Sequence, residues 1–84
     1  MGRPYHYKAN NMTAIIELKK LEAIKFFENV NRDNVLLGDP EITIDQHIEW
    51  LEKEIPTYKE GINRLGMQAL LQATELVRLD GIYD

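Results

Sequence analysis

Apolar residues recur at helical spacing in three stretches of the chain, and the first stretch, over about 13–30, has an unusual pattern. Its apolar residues gather on two nearly opposite faces of the predicted helix. The first face holds Ala14, Ile15, Leu18 and Leu21, and the second holds Ala23, Phe26, Phe27 and Val30. We expect either that other parts of the chain cover both faces or that the second face contacts another protein chain.

The following segment, NRDNVLLGDP (31–40), is predicted to be a loop because it is rich in Asn, Asp, Gly and Pro. We expect the apolar residues Val35, Leu36 and Leu37 to turn inward from this loop. Two signals for a helix start come next. Asp39 precedes Pro40, a residue tolerated at the first helical position. The second helix should therefore begin somewhere between residues 40 and 44.

The second start signal is a capping box of the S/T-x-x-E/Q type, formed by Thr43 and Gln46. The apolar residues after it recur at i, i+4, i+7 and i+11, which predicts one buried stripe. This stripe consists of Ile44, Ile48, Leu51 and Ile55. Pro56 disfavours helical geometry at the residue before it, so the second helix should end there.

The third helix is predicted over about 58–79, because Thr57 and Glu60 form another capping box. Its buried side is expected to hold Ile62, Leu65, Ala69, Ala73, Leu76 and Val77. Gly66 is costly inside a helix and indicates the close approach of a neighbouring helix. Gly81 suits the left-handed position after the last turn, with Ile82 folding back onto that turn.

The three stretches predict an all-α fold, a small three-helix domain with an irregular or extended N-terminal arm. We expect residues 1–84 to form one domain, with an arm over 1–12 and a helical body over 13–84.

The residue types present disfavour catalysis. The chain contains no cysteine and no serine, so it has no thiolate metal site and neither of the two commonest nucleophiles. Its two histidines, His6 and His47, match no metal-binding spacing, and we expect His47 at a helix surface or half-buried. No glycine-rich phosphate loop is present. The sequence therefore predicts a non-enzymatic protein with no cofactor and no metal.

The charge of the chain is unevenly distributed. The net charge is −4, and residues 39–60 hold two basic against seven acidic side chains. Duplex nucleic acid binding needs clustered Lys and Arg, so we expect no such role. Because no apolar run approaches the roughly 18 residues of a membrane span and the start lacks a signal-peptide core, we expect a cytoplasmic protein that does not bind membranes.

An acidic ladder on the second helix is the strongest candidate for a binding site. Its members share one helix face, although like charges at this spacing repel one another by a few tenths of a kcal/mol. They are Glu41, Asp45, Glu49 and Glu52. The ladder is either a solvated face that suits the helix start or a docking site for a basic surface of another protein. Trp50 is expected close to it, as a lid over the core or as an interface anchor.

The N-terminal arm, MGRPYHYKANN, combines aromatic rings with basic side chains, a pairing that suits nucleotides and phosphorylated small molecules. The candidate ligand-binding residues are Arg3, Tyr5, His6, Tyr7 and Lys8. The alternative is that Tyr5 and Tyr7 pack over the helices and anchor the arm.

These observations favour a small protein-interaction module that binds a partner through the acidic helix face. Inhibitors, antitoxin-like proteins and adaptors of bacteria and phages often have this size and composition. The alternative function is an oligomeric binder of a nucleotide-like or phosphorylated ligand through the arm. A third interpretation is a structural subunit that forms a homo-oligomer through the split face of the first helix.

Overall fold

The computed structural model of this chain contains three helices that share one core. It describes the backbone of residues 3–83 and the side chains of residues 12–83. Helix α1 is Arg3–Leu36, α2 is Ile44–Glu54 and α3 is Ile62–Leu79, and a 3-10 turn, Ile55–Thr57, follows α2. No strand occurs within residues 3–83. The all-α class and the three-helix organisation are therefore confirmed.

The loop predicted for residues 31–40 is largely wrong, because α1 continues to Leu36. Nothing before Gly38 forbids helical geometry, and Gly38 ends the helix with a φ of 84°. The Asp39 N–H donates to the Asn34 carbonyl at 2.8 Å, and the Gly38 N–H donates to the Val35 carbonyl at 3.0 Å. This hydrogen-bond pair is the Schellman motif that commonly ends a helix at glycine. Val35, Leu36 and Leu37 are exposed and do not turn inward.

Helix α1 begins at Arg3, so its bounds extend beyond the predicted 13–30 at both ends. The side chains of the arm, including the candidate ligand-binding residues, lie outside the described part of the structure. Both interpretations of Arg3, Tyr5, His6, Tyr7 and Lys8 therefore stay predictions.

Helix α2 begins as its capping box predicts. The Gln46 N–H donates to the Thr43 hydroxyl at 3.1 Å, and the Thr43 N–H donates to the Gln46 side-chain carbonyl at 2.9 Å. The alternative start at Asp39 and Pro40 is not used. The stripe of Ile44, Ile48, Leu51 and Ile55 is buried as predicted, and the helix gives way to the 3-10 turn that contains Pro56.

Helix α3 starts later than predicted, because Thr57 does not cap it. The Thr57 hydroxyl donates to the Glu54 carbonyl at 2.6 Å, which closes the turn after α2 instead. The residue that precedes α3 is Gly61, with a φ of 143° that few other residues adopt.

The C-terminal cap of α3 is partly as predicted. Gly81 has a φ of 74°, as the predicted C-cap requires. Ile82 remains exposed, and Tyr83 folds back in its place, with its ring 4.9 Å from that of Phe27 in an edge-on contact.

The core lies where the second half of α1, the inner side of α2 and the second half of α3 meet. Its buried apolar residues are Ala23, Phe27, Ile44, Ile48, Leu51, Ile55, Ala73 and Val77. Asn31 joins α1 to the segment before α2, because its amide donates to the Ile42 carbonyl at 3.1 Å and accepts from the Ile42 N–H at 2.8 Å. Lys20 pairs with Asp80 across α1 and α3 at 2.8 Å, and this hydrogen bond raises the pKa of Lys20.

The molecule is elongated. Its radius of gyration is 15.6 Å, whereas a compact domain of this length has about 12 Å. Its principal extents are 57 × 32 × 19 Å. Helix α1 is nearly twice as long as α3, so it projects beyond the rest of the domain. The first half of α1 therefore has fewer neighbours than the second half.

Candidate interaction surfaces

The acidic face of α2 is exposed, as a docking site requires. Asp45, Glu49 and Glu52 occupy positions i, i+4 and i+7 of the helix, and we call them the acidic strip. The Asp45 carboxylate lies 3.8 Å from the Arg78 guanidinium, and the Glu49 carboxylate lies 3.6 Å from the Lys53 ammonium. Exposed ion pairs at such distances contribute little free energy, so these carboxylates remain available to a partner.

Glu41 does not belong to the acidic strip. It precedes Thr43, the N-cap of α2, and therefore has no helical register with Asp45. It lines an open groove of 310 Å³ between α1 and the segment before α2, together with Glu28 and Tyr83. The Tyr83 hydroxyl donates to the Glu28 carboxylate at 3.3 Å, and burial raises the pKa of Tyr83, with a smaller contribution from Glu28.

Trp50 lies on a different side of α2 from the acidic strip, contrary to the prediction. It lines an apolar groove of 390 Å³ with Val30, Asn34, Ile42 and Gln46, which places it on the side of α1. Asp45 faces α3, where it approaches Arg78. At 100° per residue, Asp45 and Trp50 are about 140° apart around the helix. A flat partner surface cannot contact both. Trp50 is 43% exposed, and its ring stacks on the buried ring of His47, as expected of a lid over the edge of the core. Its role as an interface anchor stays a prediction.

His47 is completely buried, so the predicted surface or half-buried position is wrong. Its ring lies among three aromatic rings, with centroid distances of 5.5 Å to Phe26, 5.1 Å to Phe27 and 6.2 Å to Trp50. Neither ring nitrogen has a hydrogen-bond partner among the described residues. Burial lowers the pKa of His47, because the charged imidazolium loses its hydration. The ring is therefore a neutral part of the core, out of reach of a substrate.

Of the two apolar faces of α1, the structure covers the second and leaves the first exposed. The second face forms the internal core, since Ala23 and Phe27 are buried and Phe26 and Val30 are partly buried. The first face is uncovered, and its members Ala14, Ile15, Leu18 and Leu21 are all exposed. The interpretation that other parts of the chain cover both faces is therefore wrong. The interpretation that the second face contacts another protein chain is also wrong, because that face lies in the core.

Helix α3 also leaves an apolar face uncovered. Of its predicted buried side, only Ala73 and Val77 are buried. The exposed residues follow the 3-4 spacing of a heptad seam, and we call them the α3 seam: Ile62, Leu65, Ala69, Gln72, Leu76 and Leu79. Ile62 is 87% exposed, Leu65 65% and Leu79 71%. Gly66 does not mark a close helix contact, because a Cβ atom there would meet nothing within 4 Å.

Part of the uncovered surface of α1 adjoins the uncovered surface of α3. Ile15 and Ile16 of α1 lie beside Gln72 and Leu76 of α3 in a shallow groove of 220 Å³. Lys19 and Glu22 lie beside Gly66 and Ala69, closer to the start of α3. We call the α3 seam together with Ile15 and Ile16 the α1–α3 face. Its large apolar side chains are exposed.

The sequence of α3 contains two neighbouring stripes, the exposed α3 seam and a buried stripe, and the prediction did not distinguish them. Residues 62, 65, 69, 72, 76 and 79 alternate at intervals of three and four, whereas the partly buried Leu70 and the buried Ala73, Thr74 and Val77 form a neighbouring stripe. The predicted buried side combined members of both stripes. The α3 seam was difficult to recognise in the sequence, because the polar residue Gln72 interrupts its apolar pattern.

Two kinds of site were not found in the described part of the chain. Residues 12–83 contain no group of three or more His, Asp or Glu side chains placed to hold a metal ion. No described helix is both long enough and apolar enough to span a membrane.

The chain was compared with protein-family models, with curated proteins and with solved structures, and none of the three comparisons found a match.

Proposed function

We propose that this chain is a non-enzymatic protein-interaction module that acts through surfaces that its own fold leaves uncovered. The observation that carries this proposal is the α1–α3 face, where large apolar side chains at regular helical spacing remain in contact with solvent. Contiguous exposed apolar patches are typical of interaction sites, including those that another protein covers.

The total surface area supports the same conclusion. The chain exposes 6714 Å², whereas a monomeric protein of 9.8 kDa exposes about 5,200 Å². Part of the difference comes from the projecting first half of α1. The chain therefore buries less of itself than a self-sufficient domain of its size, as expected of a protein that completes its core with another chain.

The acidic strip supplies a second contact surface, of different chemistry. Asp45, Glu49 and Glu52 are exposed on a helix that the capping box and the buried stripe hold in place. Glu52 has no ion-pair partner among the described residues. We propose that the strip docks against a basic surface of a partner protein, where complementary charge increases the association rate and the specificity.

The proposal is tested by affinity capture from a lysate of the source cells, followed by mass spectrometry. The face variant replaces Leu65 and Leu76 with Glu, and the strip variant replaces Asp45, Glu49 and Glu52 with Lys. The control variant is Leu37→Glu, which introduces the same charge at an exposed apolar residue outside both surfaces. Circular dichroism establishes that all variants are folded.

We expect the control to retain every protein that the wild type captures. The face variant or the strip variant should lose at least one of them, and added salt should weaken only the capture that depends on the strip. The same captured set for all four proteins would contradict the proposed function.

A further inference from the structure

We propose that a second copy of this chain covers the α1–α3 face, so that α1 and α3 of the two copies pack as a four-helix bundle. This inference rests on the proposed function, because it identifies which protein contacts the α1–α3 face. It leaves the acidic strip of each copy free for a different protein.

The spacing of the seam indicates that the occupant is helical. Side chains at alternating intervals of three and four form one edge of a helix and fit between the side chains of a neighbouring helix at a crossing angle near 20°. The α3 seam keeps this spacing through all of α3, from Ile62 to Leu79. It is too short for an extended coiled coil, but its length suits one helix of a bundle.

The surface that the single chain exposes in excess is of the size that a homodimer interface buries. The excess over a compact monomer is about 1,500 Å² per chain, or about 3,000 Å² for two copies. Obligate homodimers bury about 2,000–5,000 Å² in total. The excess includes the projecting first half of α1, so pairing through the α1–α3 face would remove part of it, and the total is large enough for a homodimer interface.

The face is compatible with a copy of itself. A two-fold interface brings the same patch of both subunits together, so any net charge on the patch would repel its copy. The residues that line its two grooves include one cation, Lys19, and one anion, Glu22, although the whole chain carries a charge of −4. The negative charge is concentrated on α2 instead.

Gln72 fits a self-pairing interface particularly well. It is the one polar member of the α3 seam and lies near its middle. A glutamine amide is both a donor and an acceptor, so it can hydrogen-bond to the same residue of a second copy. A single polar residue in an apolar seam fixes the register of the two helices at a cost in stability. A carboxylate or an ammonium group in this position would repel its equivalent.

The proposal is tested by sedimentation equilibrium from low micromolar to high micromolar concentration. We expect the wild type to sediment at twice the 9.8 kDa mass of the chain. The face variant, Leu65→Glu with Leu76→Glu, should dissociate at least about a hundredfold more readily, because a dimer would bury unpaired carboxylates. The Gln72→Leu variant should dimerise more tightly than the wild type.

The control is Leu36→Glu with Leu37→Glu, which makes the same chemical change at exposed residues outside the face. It should dimerise like the wild type. The proposal would be overturned if the control substitutions disrupted the dimer and the face substitutions did not.

A wild type that stays at the mass of one chain would also overturn it. In that case, capture of another protein by the wild type and not by the face variant would leave the proposed function standing, with a different partner. A monomer whose captured proteins do not depend on the face or on the strip would overturn both proposals.

Discussion

Two apolar surfaces of this chain have similar residues and similar periodicity, but only one of them is buried. The inner side of α2 packs against the second halves of α1 and α3, and Leu51 at its centre is completely buried. The α1–α3 face has the same types of side chain at regular helical spacing and remains exposed. The comparison shows that apolar periodicity predicts that a helix face will be covered, but not whether the covering element belongs to the same chain.

The largest difference in unfolding free energy between the two surfaces is expected when Leu51 is truncated to alanine. Leu51 has no exposed surface, and removing a buried leucine side chain costs about 2–5 kcal/mol of unfolding free energy. The matched variant is Leu65→Ala, at a leucine that is 65% exposed. Urea unfolding should show a large loss for Leu51→Ala at every protein concentration.

For Leu65→Ala, we expect a loss that increases with protein concentration and nearly vanishes at high dilution, because Leu65 is buried only in the dimer. Equal losses for both variants at high dilution would mean that Leu65 already belongs to the core of the single chain.

A smaller effect is expected for Gly66→Ala. Gly66 is a helical residue whose added Cβ would meet nothing within 4 Å in the single chain. In the monomeric face variant, the substitution should therefore raise the unfolding free energy by about 1 kcal/mol, since alanine favours the helix over glycine. Gly61→Ala is the control, and it should lower stability because Gly61 has a φ of 143°. A loss of stability in Gly66→Ala would show that a neighbour already approaches this position.

The smallest expected effect is the contribution of His47 to the pH dependence of the unfolding free energy. Burial lowers the pKa of His47 below its ordinary value, so below about pH 6.5 the unfolded chain binds a proton that the folded chain does not. The unfolding free energy should therefore decrease as the pH falls from 7 to 5.

The His47→Leu variant should have a shallower slope over this pH range. His6 and all the carboxyl groups are present in both proteins, so their contributions largely cancel in the comparison. Parallel slopes for the wild type and His47→Leu would show that His47 is protonated in the folded protein as readily as in the unfolded one.

Local signals predicted much of this fold. The capping box of Thr43 and Gln46, the α2 stripe, the helix end near Pro56 and the left-handed Gly81 all depend on neighbouring residues, and the structure has each of them. The errors occur where a local pattern allows two outcomes. Thr57 could cap a helix or close a turn, and NRDNVLL could form a loop or continue a helix until Gly38 ended it.

The candidate site was harder to predict, because burial depends on contacts that are distant in the sequence. Helical spacing indicated that the first half of α1 has an apolar face, but it could not show that α2 and α3 leave most of this face uncovered. Similarly, the ladder of Glu41, Asp45, Glu49 and Glu52 assumed a helix that began before Glu41. The position of Trp50 beside α1, away from the acidic strip, depends on the packing of α1 against α2.

Hydroxyl-radical footprinting of the wild-type protein can show whether a second copy covers the α1–α3 face, because it reports how much solvent reaches each side chain in solution. Leu37 is the internal reference, since it is 78% exposed in the single chain and lies outside the α1–α3 face. If a second copy covers the face, Leu65 and Leu76 should be protected at high concentration, with oxidation rates close to that of the buried Leu51, and dilution should remove this protection. Oxidation of Leu65 at the same rate as Leu37 at all concentrations would show that no second copy covers the face.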